Sequence, residues 1–207
     1  MFGQLQITDR RERWLVGLAD VGLYAARVLP LLRSSRAPSA VPRRILLLRL
    51  ERVGDLLMAL DAIMRVRELA PRAEIDLVVG SWNDRLARLI PGIDRIETLD
   101  VPWMARERRG LSWPGLIRRA RGWRARDYDL AINLEGDIRS HLLLALSGAP
   151  RRVGFDQAGG GPVLTDAVRF DASAHVAANT LRLVTRALAA AGSMSETPSP
   201  GAHRLSV

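Results

Sequence analysis

Residues 45–50 form an apolar run broken only by Arg49, and this run constrains the chain more than any other feature. Such a run, ended by Gly54-Asp55, is the pattern of a strand covered on both faces. Helices cover both faces of a sheet when its strands run parallel and are joined by crossovers. The residues that follow repeat the theme. Leu56, Leu57, Leu60, Ile63 and Met64 recur at helical spacing, and Pro71 closes that helix. The pattern then predicts strands over 75–79, 96–99 and 130–134 and a short extended piece at 153–155. Helices are predicted over 84–90, 113–124, 138–147 and 175–191. The expected fold is therefore α/β, a Rossmann-like doubly wound parallel sheet with right-handed crossovers. In such sheets ligands bind beyond the carboxyl ends of the strands, where segments 51–55, 80–83 and 135–139 fall.

Residues 1–42 differ in character. Positions 14–32 are mostly apolar, with Asp20 and Arg27 inside and Arg10, Arg11, Arg13, Arg33 and Arg36 around them. Two charges within nineteen residues argue against a spanning helix, and no cleavage pattern of a signal peptide follows. An amphipathic helix remains. It either lies at a membrane interface with arginines on lipid phosphates, or packs on its own domain. Pro38 and Pro42, with Ser34, Ser35 and Ser39, read as a linker. The chain is thus divided into 1–42, a domain over 43–191, and a Ser/Pro/Gly-rich stretch over 192–207.

The formal charge is +9, and all 31 basic residues are arginine. That balance raises a nucleic-acid or anionic-membrane partner, although GC-rich coding also produces an arginine-only pattern. Acids are interleaved with the arginines, and no nucleic-acid motif appears, so an Arg-rich nucleic-acid-binding protein stands only as an alternative. With no cysteine, disulfides and thiolate zinc sites are excluded. His141, His175 and His203 lack metal-ligand spacing.

Three segments can carry chemistry. In Arg49-Leu50-Glu51-Arg52-Val53-Gly54-Asp55, Gly54 permits a tight turn or the close approach of a ligand. Asp55, at a helix start, suits either an N-cap or a general base that accepts a hydroxyl proton. Neither a dinucleotide fingerprint nor a Walker sequence is present, so nucleotide binding by this segment is not indicated. In Glu135-Gly136-Asp137-Ile138-Arg139-Ser140, Asp137 fits a helix cap. Arg139 opposes the helix dipole and needs an anion, either a ligand or a nearby carboxylate. The third segment, Arg151-Arg152-Val153-Gly154-Phe155-Asp156 with Gly159-Gly160-Gly161-Pro162, reads as a connector or a mobile loop on the ligand side. It lacks the helix start a phosphate cradle uses.

Together these segments resemble glycosyltransferase family 9, the family of the ADP-heptose:lipopolysaccharide heptosyltransferases. The resemblance rests on residues 44–55, 71–76, 129–140 and 146–155, and on His175 with Asn179, all in the family's order. It covers about residues 43–190 and concerns the N-terminal domain only. It implies half of a GT-B fold, whose N-terminal domain takes a lipopolysaccharide-core acceptor and whose C-terminal domain takes an ADP-sugar. The implied reaction inverts the anomeric centre and needs no cofactor or essential metal. Asp55 carries over as the general base. Arg49, Arg52, Gly54, Asp137 and Arg139 carry over as acceptor-binding residues. The implied place is the cytoplasm, peripheral to the inner membrane through residues 1–42. The sequence departs from the family at Asp61, where many members have proline, and in the absence of a donor domain within these 207 residues. The expectation is that the chain alone is inactive, with the donor half supplied by a longer product or a separate partner chain. A non-catalytic acceptor-binding or scaffold module is the other outcome consistent with the resemblance.

Overall fold

The computed structural model describes residues 41–104, 110–157 and 161–192, with Ala37, Ser39 and Gly159 besides. The amphipathic helix expected within residues 1–42 and the stretch after residue 192 lie outside the described residues. Strands β1 (Arg44–Arg49), β2 (Glu74–Val79), β3 (Arg95–Thr98), β4 (Leu130–Asn133), β5 (Arg151–Phe155) and β6 (Asp166–Val168) make one sheet. All neighbours pair parallel, in the order β3-β2-β1-β4-β5-β6. Helices α1 (Val53–Met58) and α2 (Leu60–Leu69) follow β1, and α3 (Asp84–Ala87) follows β2. Helices α4 (Trp113–Gly122), α5 (Ile138–Leu146) and α6 (Val176–Gly192) complete the layers. The doubly wound parallel sheet expected from the apolar runs is the fold observed.

The pleat of β1 shows why its run is continuous. Ile45 and Leu47 join one core with Leu56 of α1, Ile63 and Val66 of α2, and Leu183 and Val184 of α6. Leu46 and Leu48 join the other, with Leu116 of α4 and Leu143 and Leu144 of α5. All four β1 residues are fully buried. Each such side chain contributes about 1.5–3 kcal/mol relative to exposure.

Three elements differ from the sequence pattern. The helix expected after Gly54-Asp55 is two helices, because the Ala59 N–H turns to the Leu56 carbonyl at 3.0 Å instead of continuing the α ladder. Leu56, Ala59, Ile63 and Val66 keep helical spacing across the break and are buried, and Leu57 and Met64, one residue beyond that face, are exposed. Helix α3 is a single turn preceded by a 3-10 turn at Ser81–Asn83. β6 pairs with β5 although its three residues carry no strand signal of their own. Among the described residues no helix is long and apolar enough to cross a membrane.

At the amino ends of the strands, the Asp129 carboxylate accepts from the Arg43 and Arg44 N–H groups at 2.8 and 3.1 Å. A cavity of about 440 Å³ lined by Arg43, Arg44, Asp127 and Asp129 lies there, its basic and acidic groups balanced. It is at the opposite edge from the carboxyl ends, where doubly wound sheets bind ligands.

Candidate functional site

The strand order reverses between β1 and β4, so the loops leaving their carboxyl ends diverge and leave a crevice. The β1 loop supplies Glu51, Arg52, Gly54 and Asp55, and the β4 loop supplies Glu135, Asp137 and Arg139. Two of the expected segments are thus adjacent, and the third, after β2, supports the first. Trp82 Nε1 and Asn83 Nδ2 both donate to the Glu51 carbonyl at 2.9 Å.

Asp55 is the third residue of α1, and Arg52 occupies the N-cap position in extended backbone. The N-cap role is therefore corrected: the Asp55 carboxylate reaches back to accept the Arg52 N–H at 3.1 Å, as the third residue of a capping box does. Its side chain stays about one-third exposed, with Oδ1 4.0 Å from the Arg49 guanidinium. Gly54 has no positive φ, and a Cβ placed there meets nothing within 4 Å. The chain's own turn thus does not require glycine at this position.

Arg49, which the resemblance makes an acceptor contact, has a side chain only 3% exposed. Nε and Nη2 donate to the Asp55 carbonyl at 3.2 and 3.0 Å, and Nη1 donates to the Leu134 carbonyl. Nη1 also lies 2.8 Å from the Glu51 carboxylate. The guanidinium ties β1, α1 and the end of β4 together, which makes Arg49 a positioning residue.

Glu51 and Glu135 are neighbours under this strut. Burial lifts the Glu51 carboxyl above its ordinary value against the pull of Arg49, and the charges of Asp55 and Asp137 lift it further. Glu135 is buried and accepts from the Leu50 N–H at 3.0 Å and from the Ser140 hydroxyl. Burial, and then the charge of Glu51, push its carboxyl up to about 8 despite those bonds and Arg49.

Asp137 caps α5, accepting the Arg139 N–H at 2.7 Å. It also takes the Arg139 guanidinium on both oxygens. Burial alone would raise this carboxyl, but the hydrogen bonds and charge of Arg139 hold it below its ordinary value. The anion that Arg139 needs at a helix start is thus the nearby carboxylate. Arg139 also lies over the Trp103 ring, 4.7 Å from its centroid, and Trp103 stacks on Trp113 with centroids 5.4 Å apart. Neither tryptophan lies in the three segments to which the sequence assigns chemistry, although Trp113 opens a predicted helix. Proximity of this kind, across loops distant in sequence, has no local signal.

The glycine-rich third segment is anchored. The Gly159 carbonyl sits 3.0 Å from Nδ1 of the buried His141, whose pKa burial lowers to about 4. Arg152 donates to the Val163 and Ala149 carbonyls. The Gln157 side chain of this segment packs against Gly136 of the β4 loop, where a Cβ would stand 2.5 Å from Nε2.

A crevice with the carboxylates of Glu51, Asp55 and Asp137, bordered by Arg52 and Arg139, offers acceptors and donors to hydroxyl groups. Among the described residues, no group of three or more histidines and acids is placed to hold a metal ion.

The fold is a six-stranded parallel α/β sheet that matches the GT-B fold of solved heptosyltransferases over about 70% of this chain. Particular relatives agree. The chain is 26% identical over 116 residues to the lipopolysaccharide core heptosyltransferase OpsX of Haemophilus influenzae, covering 56% of this chain and 31% of that protein. It superposes on the family 9 glycosyl transferase from Veillonella parvula with a TM-score of 0.60 and 26% identity, covering 73% of this chain and 42% of that one. The E. coli ADP-heptose lps heptosyltransferase II gives a TM-score of 0.58 at 20% identity, covering 68% and 40%. No family model matches the chain. The resemblance to family 9 heptosyltransferases read from the motifs is therefore borne out. The chain spans about a third of the curated relative's length and less than half of each of these structures.

Proposed function

We infer that this chain is the acceptor-binding unit of a heptosyltransferase-like glycosyltransferase, with Asp55 as the general base. The observation that carries the reading is the Asp55 carboxylate. It stands partly exposed at the switch point, with one oxygen fixed by the Arg52 N–H and its backbone carbonyl fixed by Arg49. An acceptor hydroxyl in the crevice gives its proton to Asp55 as its oxygen bonds to the anomeric carbon. The bond from that carbon to the donor's diphosphate breaks on the opposite side, which inverts the centre. The acidic crevice suits a hydroxylated acceptor, and the ADP-sugar is assigned to a separate unit. By analogy with the relatives, the acceptor is a lipopolysaccharide-core saccharide and the donor an ADP-heptose. Exposed Arg52 is available to acceptor phosphates or carboxylates. An acceptor of that kind is embedded in a membrane, and residues 1–42 would hold the domain at its surface.

The test is calorimetric binding followed by an assay of turnover. The 207-residue chain is expected to bind a lipid-free core oligosaccharide and not ADP-heptose. ADP release that needs the acceptor is expected only when a heptosyltransferase donor domain is joined to it. Release by the chain alone would overturn the assignment of the donor to another unit. Failure to bind any core saccharide would overturn the acceptor reading.

A further inference from the structure

Tryptophan normally buries most of its large apolar surface. Trp113, the first residue of α4, is 45% exposed. One of its faces is stacked on Trp103 at an interplanar angle of 26°, so the exposure belongs to the other face and the rim. Nearby Leu111 is also exposed and continues the apolar surface. The platform has fixed supports. Arg139 lies against the Trp103 ring, and Arg139 is itself clamped by Asp137, the cap of α5. A ligand therefore meets a preorganised surface and loses little freedom of the protein on binding.

A pyranose ring has an apolar C–H face and a rim of hydroxyls. Its C–H face matches an open indole face, and the Asp137–Arg139 pair, packed on the Trp103 end of the stack, has a donor and an acceptor for hydroxyls of the same saccharide. The Arg139 and Asp137 side chains remain 40% and 24% exposed, so both are within reach of solvent and ligand. The charged group on the stack is Arg139, over the Trp103 ring, and its charge is already met by Asp137. An anion would have to displace that carboxylate, whereas a neutral ring would not. Arg139 and Asp137 belong to the β4 loop that borders the crevice, so the stack is tied to that loop through Trp103.

We propose that Trp113, stacked on Trp103, which the Asp137–Arg139 pair supports in turn, is a subsite for a neutral pyranose ring of the acceptor. The proposal rests on the acceptor reading above and adds where the sugar lies and what kind of sugar it is.

Calorimetry on the full 207-residue chain tests it, with a lipid-free, dephosphorylated core oligosaccharide as the probe and ADP as competitor. Trp113→Ala is expected to weaken binding about fivefold to tenfold, and Trp113→Phe to stay within about twofold of the native chain. Circular dichroism checks that both variants are folded. Raising salt from about 50 to about 500 mM is expected to leave the affinity in place, as for a neutral ligand. Native affinity in folded Trp113→Ala would overturn the subsite alone and leave the acceptor reading standing. Competition by ADP would reassign the platform to a nucleotide base. A steep fall in affinity with salt would overturn the neutral-ring assignment. Absence of any saccharide binding to the native chain would remove both the subsite and the acceptor reading.

Discussion

Asp55 has two roles that substitution can separate, because capping uses an oxygen and proton abstraction uses a charge. In Asp55→Asn the amide oxygen can still accept the Arg52 N–H, so stability is expected to change by less than about 1 kcal/mol in urea unfolding. In a chain joined to a donor domain, kcat should fall ~10²–10⁴-fold with the acceptor KM nearly unchanged. Near-native kcat in that variant would move the base to Glu51. Arg49 behaves differently, since its donors serve the Asp55 and Leu134 carbonyls. Arg49→Ala leaves those acceptors and Glu51 uncompensated, and is expected to cost at least about 2 kcal/mol by the same measurement. Glu135 sets a pH dependence. Its carboxyl is raised to about 8 in the fold and is ordinary, 4.5, when unfolded, so between those values the folded state binds the extra proton. Stability from this group is complete below the unfolded value and declines as pH rises through the window. Glu135→Gln, uncharged throughout, should flatten the stability profile between about pH 5 and 8. A profile as steep as that of the native chain would show that Glu135 does not titrate there.

The elements legible in the sequence are those whose signal is local. β1 and β2 are continuous apolar runs because both faces of each strand are covered, and their periodicity needs no knowledge of partners. β6 is three residues, Asp-Ala-Val, and exists through pairing with β5. The break between α1 and α2 carries no Gly or Pro, and Ala59 is an ordinary helix former. The same division holds at the crevice. The Gly-Asp and Glu-Gly-Asp turns show as strand-to-helix junctions, whereas Arg49's burial and the indole stack depend on contacts between distant loops. The loop after β2 offers a test of such a contact. A Cβ on Gly80 would stand 2.3 Å from the Trp82 ring, although the Gly80 backbone is one that any residue adopts. Gly80→Ala is therefore expected to cost about 1–3 kcal/mol through displacement of Trp82 and loss of its bond to the Glu51 carbonyl. In a Trp82→Ala background the same substitution should cost much less, measured as a double-mutant cycle. Equal costs in both backgrounds would show that the indole does not press on Gly80.

For the molecule as a whole, the charge of +9 overstates what a polyanion would meet. Residues 43–192 hold 24 arginines against 18 acids, so the surplus of the domain is small for its size. Many of those arginines are committed within the fold. Arg126 bridges Glu74 and Asp76, and Arg67 pairs with Asp94. Arg119 pairs with Glu97, and Arg88 pairs with Asp84. Affinity for duplex nucleic acid comes from unpaired cations that displace counterions along the phosphates, and it falls steeply with salt in proportion to their number. Each arginine held in such a pair is a weaker counterion for phosphate than a solvated one. Filter binding of a labelled duplex is expected to give a dissociation constant weaker than about 10⁻⁵ M at about 150 mM salt, with a shallow dependence on salt. Tighter binding with a slope equivalent to six or more phosphates would mean that the paired arginines open toward phosphate, and would restore the nucleic-acid reading. Saccharide binding at the indole platform should persist over the same salt range. The two titrations together therefore separate a polyhydroxyl ligand in the acidic crevice from a polyanion spread over the arginine-rich surface.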